Sequence, residues 1–205
     1  FVIVPLISAF LIMILGIWFK GFQRYFTAFS TLALVGMSFY AFINLQSDSI
    51  KYIVGGWEPI NNVPVAIYLV LDSLSAIMLC IIGVMGFLSS VYSISYIKKF
   101  TAKNNFYALL CLMIAGMNGV VLSGDIFNQY VFLEISVISS YALVAFGVEK
   151  HELEASFKYQ VLGGMASLLI LLAIALIYWN TKTLNIAHIR ELLSLEHNKS
   201  YHILI

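Results

Sequence analysis

The 205 residues are 61% hydrophobic and only 10% charged, with a mean hydropathy of +0.95. A soluble domain carries about 25% charged residues, and 11 basic plus 10 acidic side chains cannot clothe a surface of this size, so most of the chain meets lipid. A net charge of +1 argues against the clustered basic face of a nucleic-acid binder, and Cys80 and Cys111, in separate apolar runs, suggest neither a disulfide framework nor a zinc site.

Crossing a hydrocarbon core roughly 30 Å thick takes about 20 helical residues. Six apolar runs of about that length are expected to be helices. The first covers 1–19 and stops at Lys20; the second covers 26–45, after the turn Lys20-Gly21-Phe22-Gln23-Arg24. A segment over 46–71 follows, in which Ile50-Lys51-Tyr52-Ile53-Val54 and Val65-Ala66-Ile67-Tyr68-Leu69-Val70 flank a glycine-rich stretch from Gly55 to Asn62. This pattern predicts a β-hairpin with a long loop; the alternative is a third span that begins early, at Val63. The third span runs from about Asp72 to Ile97, the fourth over 106–122, the fifth over 126–148 and the sixth over 155–179, joined by Ser123-Gly124-Asp125 and Glu149-Lys150-His151-Glu152. Short joints make neighbouring helices antiparallel.

After the sixth span, Ile186, Ile189, Leu192 and Leu193 share a helical face, predicting a short helix at the membrane surface. Ile203-Leu204-Ile205 reads as the start of a seventh span. The chain opens inside an apolar run without a Met or a basic leader, the pattern expected of a fragment. The fold class expected is all-α, a polytopic transmembrane bundle of about six spans with a short extracytoplasmic hairpin. Its parts are 1–45 (spans one and two), 46–71 (hairpin), 72–179 (spans three to six) and 180–205 (surface helix and tail). Alternation puts Lys20, Arg24, Lys98, Lys99, Lys103 and Lys150 on one side, and Lys51, Lys182, Arg190 and Lys199 on the other. The positive-inside rule makes the first set cytoplasmic.

An ionisable group at bilayer depth costs roughly 2.5–3.5 kcal/mol on insertion scales and so demands a reason. Glu134 lies about 12 Å into the fifth span, at 1.5 Å per residue, with no charged residue within a turn of it. Tyr130, Glu134 and Tyr141 fall on one helical face. Burial disfavours a carboxylate and a nearby cation favours it, so a carboxyl group held between those effects can exchange protons. The competing reading is a protonated glutamic acid that only hydrogen-bonds between helices.

Lys158 follows Glu154 by four residues, the spacing of an ordinary surface pair, yet it also stands at the polar entry to the sixth span. Asp72 and Asp125 each precede a span, where capping is the first expectation and a supporting role on an ion path the second. All four histidines, His151, His188, His197 and His202, fall in joints or the tail, so no haem held within the spans is expected, nor any metal or other cofactor. Ala115 with Gly119 and Gly163 with Ser167 are small-xxx-small pairs that allow close helix approach.

Several of these stretches resemble a known family. Leu69-Val70-Leu71-Asp72-Ser73-Leu74-Ser75-Ala76, Ala115-Gly116-Met117-Asn118-Gly119, Ser123-Gly124-Asp125-Ile126-Phe127-Asn128, Tyr130-Val131-Phe132-Leu133-Glu134-Ile135 and Glu154-Ala155-Ser156-Phe157-Lys158-Tyr159 are similar to the antiporter-like proton-translocating subunits of respiratory complex I, membrane-bound hydrogenases and Mrp cation/proton antiporters. The D-type Mrp subunit is the nearest in pattern, and Thr183-Leu184-Asn185-Ile186 continues the likeness.

The resemblance implies a subunit of about fourteen spans with an inverted repeat, of which this chain holds the first six. It implies that Glu134 works with a lysine on a broken seventh helix, absent here, and that Lys158 lies near the pathway. The implied partners are other membrane subunits of a hetero-oligomeric complex, the bilayer, and H⁺, alone or exchanged for Na⁺. No catalytic chemistry is expected within this stretch; a redox-driven pump subunit and a non-transporting structural subunit are the alternatives.

Overall fold

The computed structural model describes residues 1–19, 21–45, 49–56, 66–100 and 103–196. Seven α-helices and a two-stranded hairpin make up most of these residues: α1 (Ile3–Leu15), α2 (Phe22–Asn44), β1 (Ile50–Ile53), β2 (Tyr68–Leu71), α3 (Ser73–Tyr96), α4 (Lys103–Leu122), α5 (Ile126–Val144), α6 (Lys150–Thr181) and α7 (Ile186–Glu196). All six expected spans are helical. Four of them, α2, α3, α4 and α6, are long and apolar enough to cross a membrane. α1 is apolar but has 13 residues, and Asn128, Gln129 and Glu134 dilute α5. The molecule is a membrane helical bundle.

Several boundaries differ from the hydropathy reading. α2, α4 and α6 begin three to five residues early, at Phe22, Lys103 and Lys150. Hydropathy locates where the chain enters hydrocarbon, whereas backbone hydrogen bonds let a helix continue into the polar interface. Gln23 and Arg24 therefore belong to the first turn of α2, and Glu149 to Glu152 form the start of α6 instead of a joint. Gly21, at φ 93°, takes the left-handed turn before α2 that a residue with a Cβ rarely adopts. α1 stops at Leu15, and Gly16 lies so close to Asn104 that an added Cβ would sit 2.7 Å from its amide.

The hairpin forms, with Ile50 opposite Leu71 and Ile53 opposite Tyr68. Asp72 ends β2 and caps α3, so the third span does not begin early. Trp57 to Val65, Lys20, His197, His202 and Ile203 to Ile205, each singled out above, lie outside the described residues. Beyond β2 the ladder continues: Gly124 N donates to Tyr68 O at 2.8 Å, Ile126 N to Leu184 O at 3.0 Å, and Ile186 N to Gly124 O at 3.1 Å. The joint between α4 and α5 is thus stitched to the hairpin on one side and to the α6–α7 linker on the other.

Helix packing follows small residues. α5 lies against α4 at Gly116, where an added Cβ would stand 2.6 Å from Ser136 N, and at Gly119, where it would run into the Phe132 ring. A core around Ala9, Ile12, Tyr107 and Cys111 joins α1 to α4, and Leu34, Leu110 and Ile114 join α2 to α4. Cys80 and Cys111 are both free.

Candidate functional site

Two polar groups of α5, on the side of the molecule where it meets α6, are buried without a partner. In α5, Glu134 is half-buried; its Oε1 atom is shut off from solvent and accepts no hydrogen bond. Tyr130 stands one turn earlier on the same face of α5, and Tyr141 two turns later.

Tyr141 is the hinge of the contact with α6. The residue is 8% exposed, and its hydroxyl oxygen is buried without a hydrogen-bond partner. Its ring meets Tyr159 edge to face at 4.7 Å, and its carbonyl accepts from Ser156 Oγ at 2.8 Å. The hydroxyl occupies the space that a side chain at Gly163 would fill. Gly163 is therefore what admits Tyr141 into the interface, and α6 runs through Gly163 and Gly164 without a break. Ser167, its expected small partner, is buried as well.

Lys158 lies elsewhere. Its Nζ is 2.6 Å from Glu154 Oε1, and both side chains are exposed, at 69% and 53%. That geometry is the i,i+4 surface pair, worth a few tenths of a kcal/mol, about 0.3–0.5. Within the described residues it does not reach Glu134.

Asp72 and Asp125 both cap helices, outside the spans. Asp72 Oδ1 accepts from Ser75 N at 2.7 Å, and Asp125 Oδ1 from Asn128 N at 2.8 Å. Their electrostatics differ in sign. The Ser75 backbone N–H holds the Asp72 carboxyl below its ordinary range, while burial pushes the Asp125 carboxyl up. Asp125 also borders a cleft of about 380 Å³ whose other polar residues include Asn128, Tyr178 and Lys182. Val131, also on that wall, precedes Glu134 by three residues.

Gly116, Ser156 and Tyr159 stand in the stretches that carry the family resemblance, but spacing alone did not single them out as site residues. Gly116 and Gly119 are three apart on one face, and Ser156 and Gly163 are two turns apart, so both pairs had a readable period. No group of three or more His, Cys, Asp or Glu among the described residues is arranged to hold a metal.

Two family models match separate stretches that together cover more than half of the chain. One, described as complex I chain 5 N-terminus (NADH-ubiquinone oxidoreductase), matches residues 57–107; the other, NADH:quinone oxidoreductase/Mrp antiporter, TM, matches residues 123–205 and includes the Glu134 helix. The chain belongs to this family. It is 31% identical to the D-type subunit of the Na⁺/H⁺ antiporter of Alkalihalophilus pseudofirmus over 190 residues, which are 91% of this chain and 38% of that protein. It is 34% identical to the N-type subunit of the NADH-quinone oxidoreductase of Desulforudis audaxviator, over 94% of this chain and 38% of that protein. The chain thus spans under two-fifths of the length of either relative.

Among solved structures, the membrane-bound sulfane sulfur reductase, an archaeal respiratory membrane complex, superposes with a TM-score of 0.86 at 35% identity, over 93% of this chain and 39% of that one. The Mrp complex from Dietzia sp. gives 0.74 at 27% identity, over 91% and 35%. Both neighbours are membrane complexes, so the fold is one used beside other membrane subunits.

Proposed function

We propose that this chain is part of a proton-translocating, antiporter-like subunit of a multisubunit cation/proton antiporter of Mrp type, a multi-pass protein of the cell membrane with the basic helix ends in the cytoplasm. The observation that carries the reading is the Oε1 atom of Glu134: a carboxyl oxygen inside a span, screened from solvent, with no hydrogen-bond donor on it. A buried polar atom without a partner costs roughly 1–3 kcal/mol. The carboxyl group shares its face of α5 with the hydroxyl-bearing Tyr130 and Tyr141, and it is the group on this helix that can take up and release a proton.

In this proposal Glu134 holds the proton, and Tyr130 and Tyr141 supply hydroxyls that flank it. Lys158 contributes charge near the entry to α6, its pairing with Glu154 being the resting arrangement. Asp72 and Asp125 support the path by fixing the starts of α3 and α5. H⁺, and Na⁺ in exchange for it, are the proposed ions, and other membrane subunits the proposed partners. The 0.86 match to a respiratory complex favours a second host, a redox-driven pump of the complex I or hydrogenase kind, in which Glu134 keeps the same role.

The test is Glu134→Gln in the full-length subunit within its assembled complex, assayed for ion exchange driven by a pH difference. Gln keeps the shape and cannot carry the proton. The expected result is a drop of at least tenfold with normal assembly, and wild-type exchange would remove the proposal.

A further inference from the structure

The seam between α5 and α6 is closed at one end and open at the other. Towards the α5–α6 joint, Ser156 Oγ donates to Tyr141 O at 2.8 Å and Gly163 admits the Tyr141 hydroxyl. Towards the opposite end the two helices part around the cleft of about 380 Å³, walled by Phe127, Asn128 and Val131 of α5 and by Tyr178 of α6. Past the cleft the chain returns to α5: Ile126 N donates to Leu184 O at 3.0 Å, which ties the α6–α7 linker to the first residue of α5. Framed by contacts at both ends, the cleft is an opening in the seam.

Its direction follows from α5. Phe127, Val131 and Glu134 recur at four and three residues, the spacing of one helical face. Two of the three line the cleft, so the cleft runs along the face that Glu134 continues, and Val131 stands about 4.5 Å from Glu134 along the axis, at 1.5 Å per residue. The lining is the wrong kind for lipid: Asp125, Asn128, Tyr178 and Thr183 all bring polar groups to it. Lys182, also on the wall, has its Nζ 4.6 Å from the ring of the exposed Trp179, which does not line the cleft, so its charge is held at the outer surface. A polar space of this volume has room for on the order of ten waters at roughly 30 Å³ each.

We infer that this cleft is an aqueous route from the extracytoplasmic solution to Glu134, taken by protons carried on water. The inference rests on the proposed role of Glu134 and adds the side on which its proton comes and goes. The cleft lies at the start of α5 and the end of α6, the end of the bundle away from Lys98, Lys103 and Lys150, and the positive-inside rule puts that end outside. Polar side chains inside a membrane protein that line a water-filled cavity mark ion pathways.

The experiment uses the full-length subunit in its complex, in right-side-out vesicles, and reads labelling of introduced cysteines by a membrane-impermeant, positively charged methanethiosulfonate, as the increment over the parent complex. Val131→Cys is compared with Met78→Cys, which lies equally five residues into its helix, α3, and is 40% exposed against 38% for Val131. Val131→Cys is expected to react from outside at least tenfold faster than Met78→Cys, and its labelling to cut exchange at least fivefold relative to the same variant unlabelled. If Val131→Cys does not assemble, Phe127→Cys on the same wall gives the reading. Equal rates at 131 and 78, labelling only in inverted vesicles, or labelling that leaves exchange unchanged would each overturn the inference. Labelling needs no transport, so the two claims fail separately: wild-type exchange in Glu134→Gln removes the role of Glu134 whatever position 131 shows, and an unreactive position 131 removes the route whatever Glu134→Gln shows.

Discussion

The seam between α2 and α3 and the seam between α5 and α6 bury polar groups in opposite ways. On α2 and α3, Thr27, Thr31, Ser38, Ser90 and Ser93 each donate to a carbonyl of their own helix at 2.7 to 2.8 Å, and of these Thr31 Oγ1 and Ser90 Oγ meet across the seam at 3.0 Å. Every one of these hydroxyls is satisfied locally, as small polar residues at a membrane helix interface should be. In the second, Glu134 Oε1 and the Tyr141 hydroxyl are buried and unpartnered. On the proposed reading, the comparison separates polar groups that pack from a carboxyl group that exchanges a proton.

The largest effect that would break this comparison is on exchange itself. Glu134→Gln should cost at least tenfold in activity with little change in the thermal midpoint, whereas Thr31→Val should leave exchange within twofold. Equal losses from the two would erase the distinction. Next comes packing. Gly119→Leu pushes a side chain into the Phe132 ring and Gly163→Val one into the Tyr141 hydroxyl, overpacking that costs about 1–3 kcal/mol. Both should lower the yield of assembled complex, and Gly163→Val should also reduce exchange in whatever assembles, because it displaces a hydroxyl that flanks Glu134. Retained yield and activity in Gly163→Val would show that α6 does not depend on this contact.

Much of this architecture was legible in the residues. Runs of about twenty apolar residues between charges located six helices, because nothing but a helix satisfies its own backbone in lipid. Asp72 and Asp125 announced α3 and α5 by their place just before apolar runs, and the β-branched stretches around Gly55 and Gly56 announced the hairpin. The helix starts at Phe22, Lys103 and Lys150 were not legible, since charge marks the edge of hydrocarbon and not the last hydrogen bond. Nor was the ladder from Tyr68 through Gly124 to Leu184, because pairing between segments more than fifty residues apart leaves no periodic trace. For the site, the face shared by Tyr130, Glu134 and Tyr141 came from helical spacing alone. The exposed pairing of Lys158 with Glu154 was one of two outcomes that the i,i+4 spacing allowed.

The two caps sharpen the comparison at smaller scale. Asp72→Asn and Asp125→Asn keep the capping acceptor and remove only the charge, so each should change stability by about 0.3–1 kcal/mol, but with opposite dependence on pH. The Asp72 carboxyl is held down in the folded state, so its contribution is present above the unfolded carboxyl range, about 3.9, and is lost as pH falls. The Asp125 carboxyl is pushed up, so the folded state binds its proton more tightly, and the stability this gives is present at low pH and lost as pH rises through the folded value. On acidification the gap between wild type and variant should narrow for Asp72→Asn and widen for Asp125→Asn. Thr31→Val belongs to the same small class, at about 0.6 kcal/mol for one interhelical hydroxyl contact.

Proton exchange by Glu134 is tested most directly by infrared difference spectroscopy on the full-length subunit in its complex, recorded as a pH difference is imposed and removed. A protonated-carboxyl band that rises and falls with the gradient, and is missing from Glu134→Gln, is the expected result. A spectrum identical in wild type and variant would contradict it.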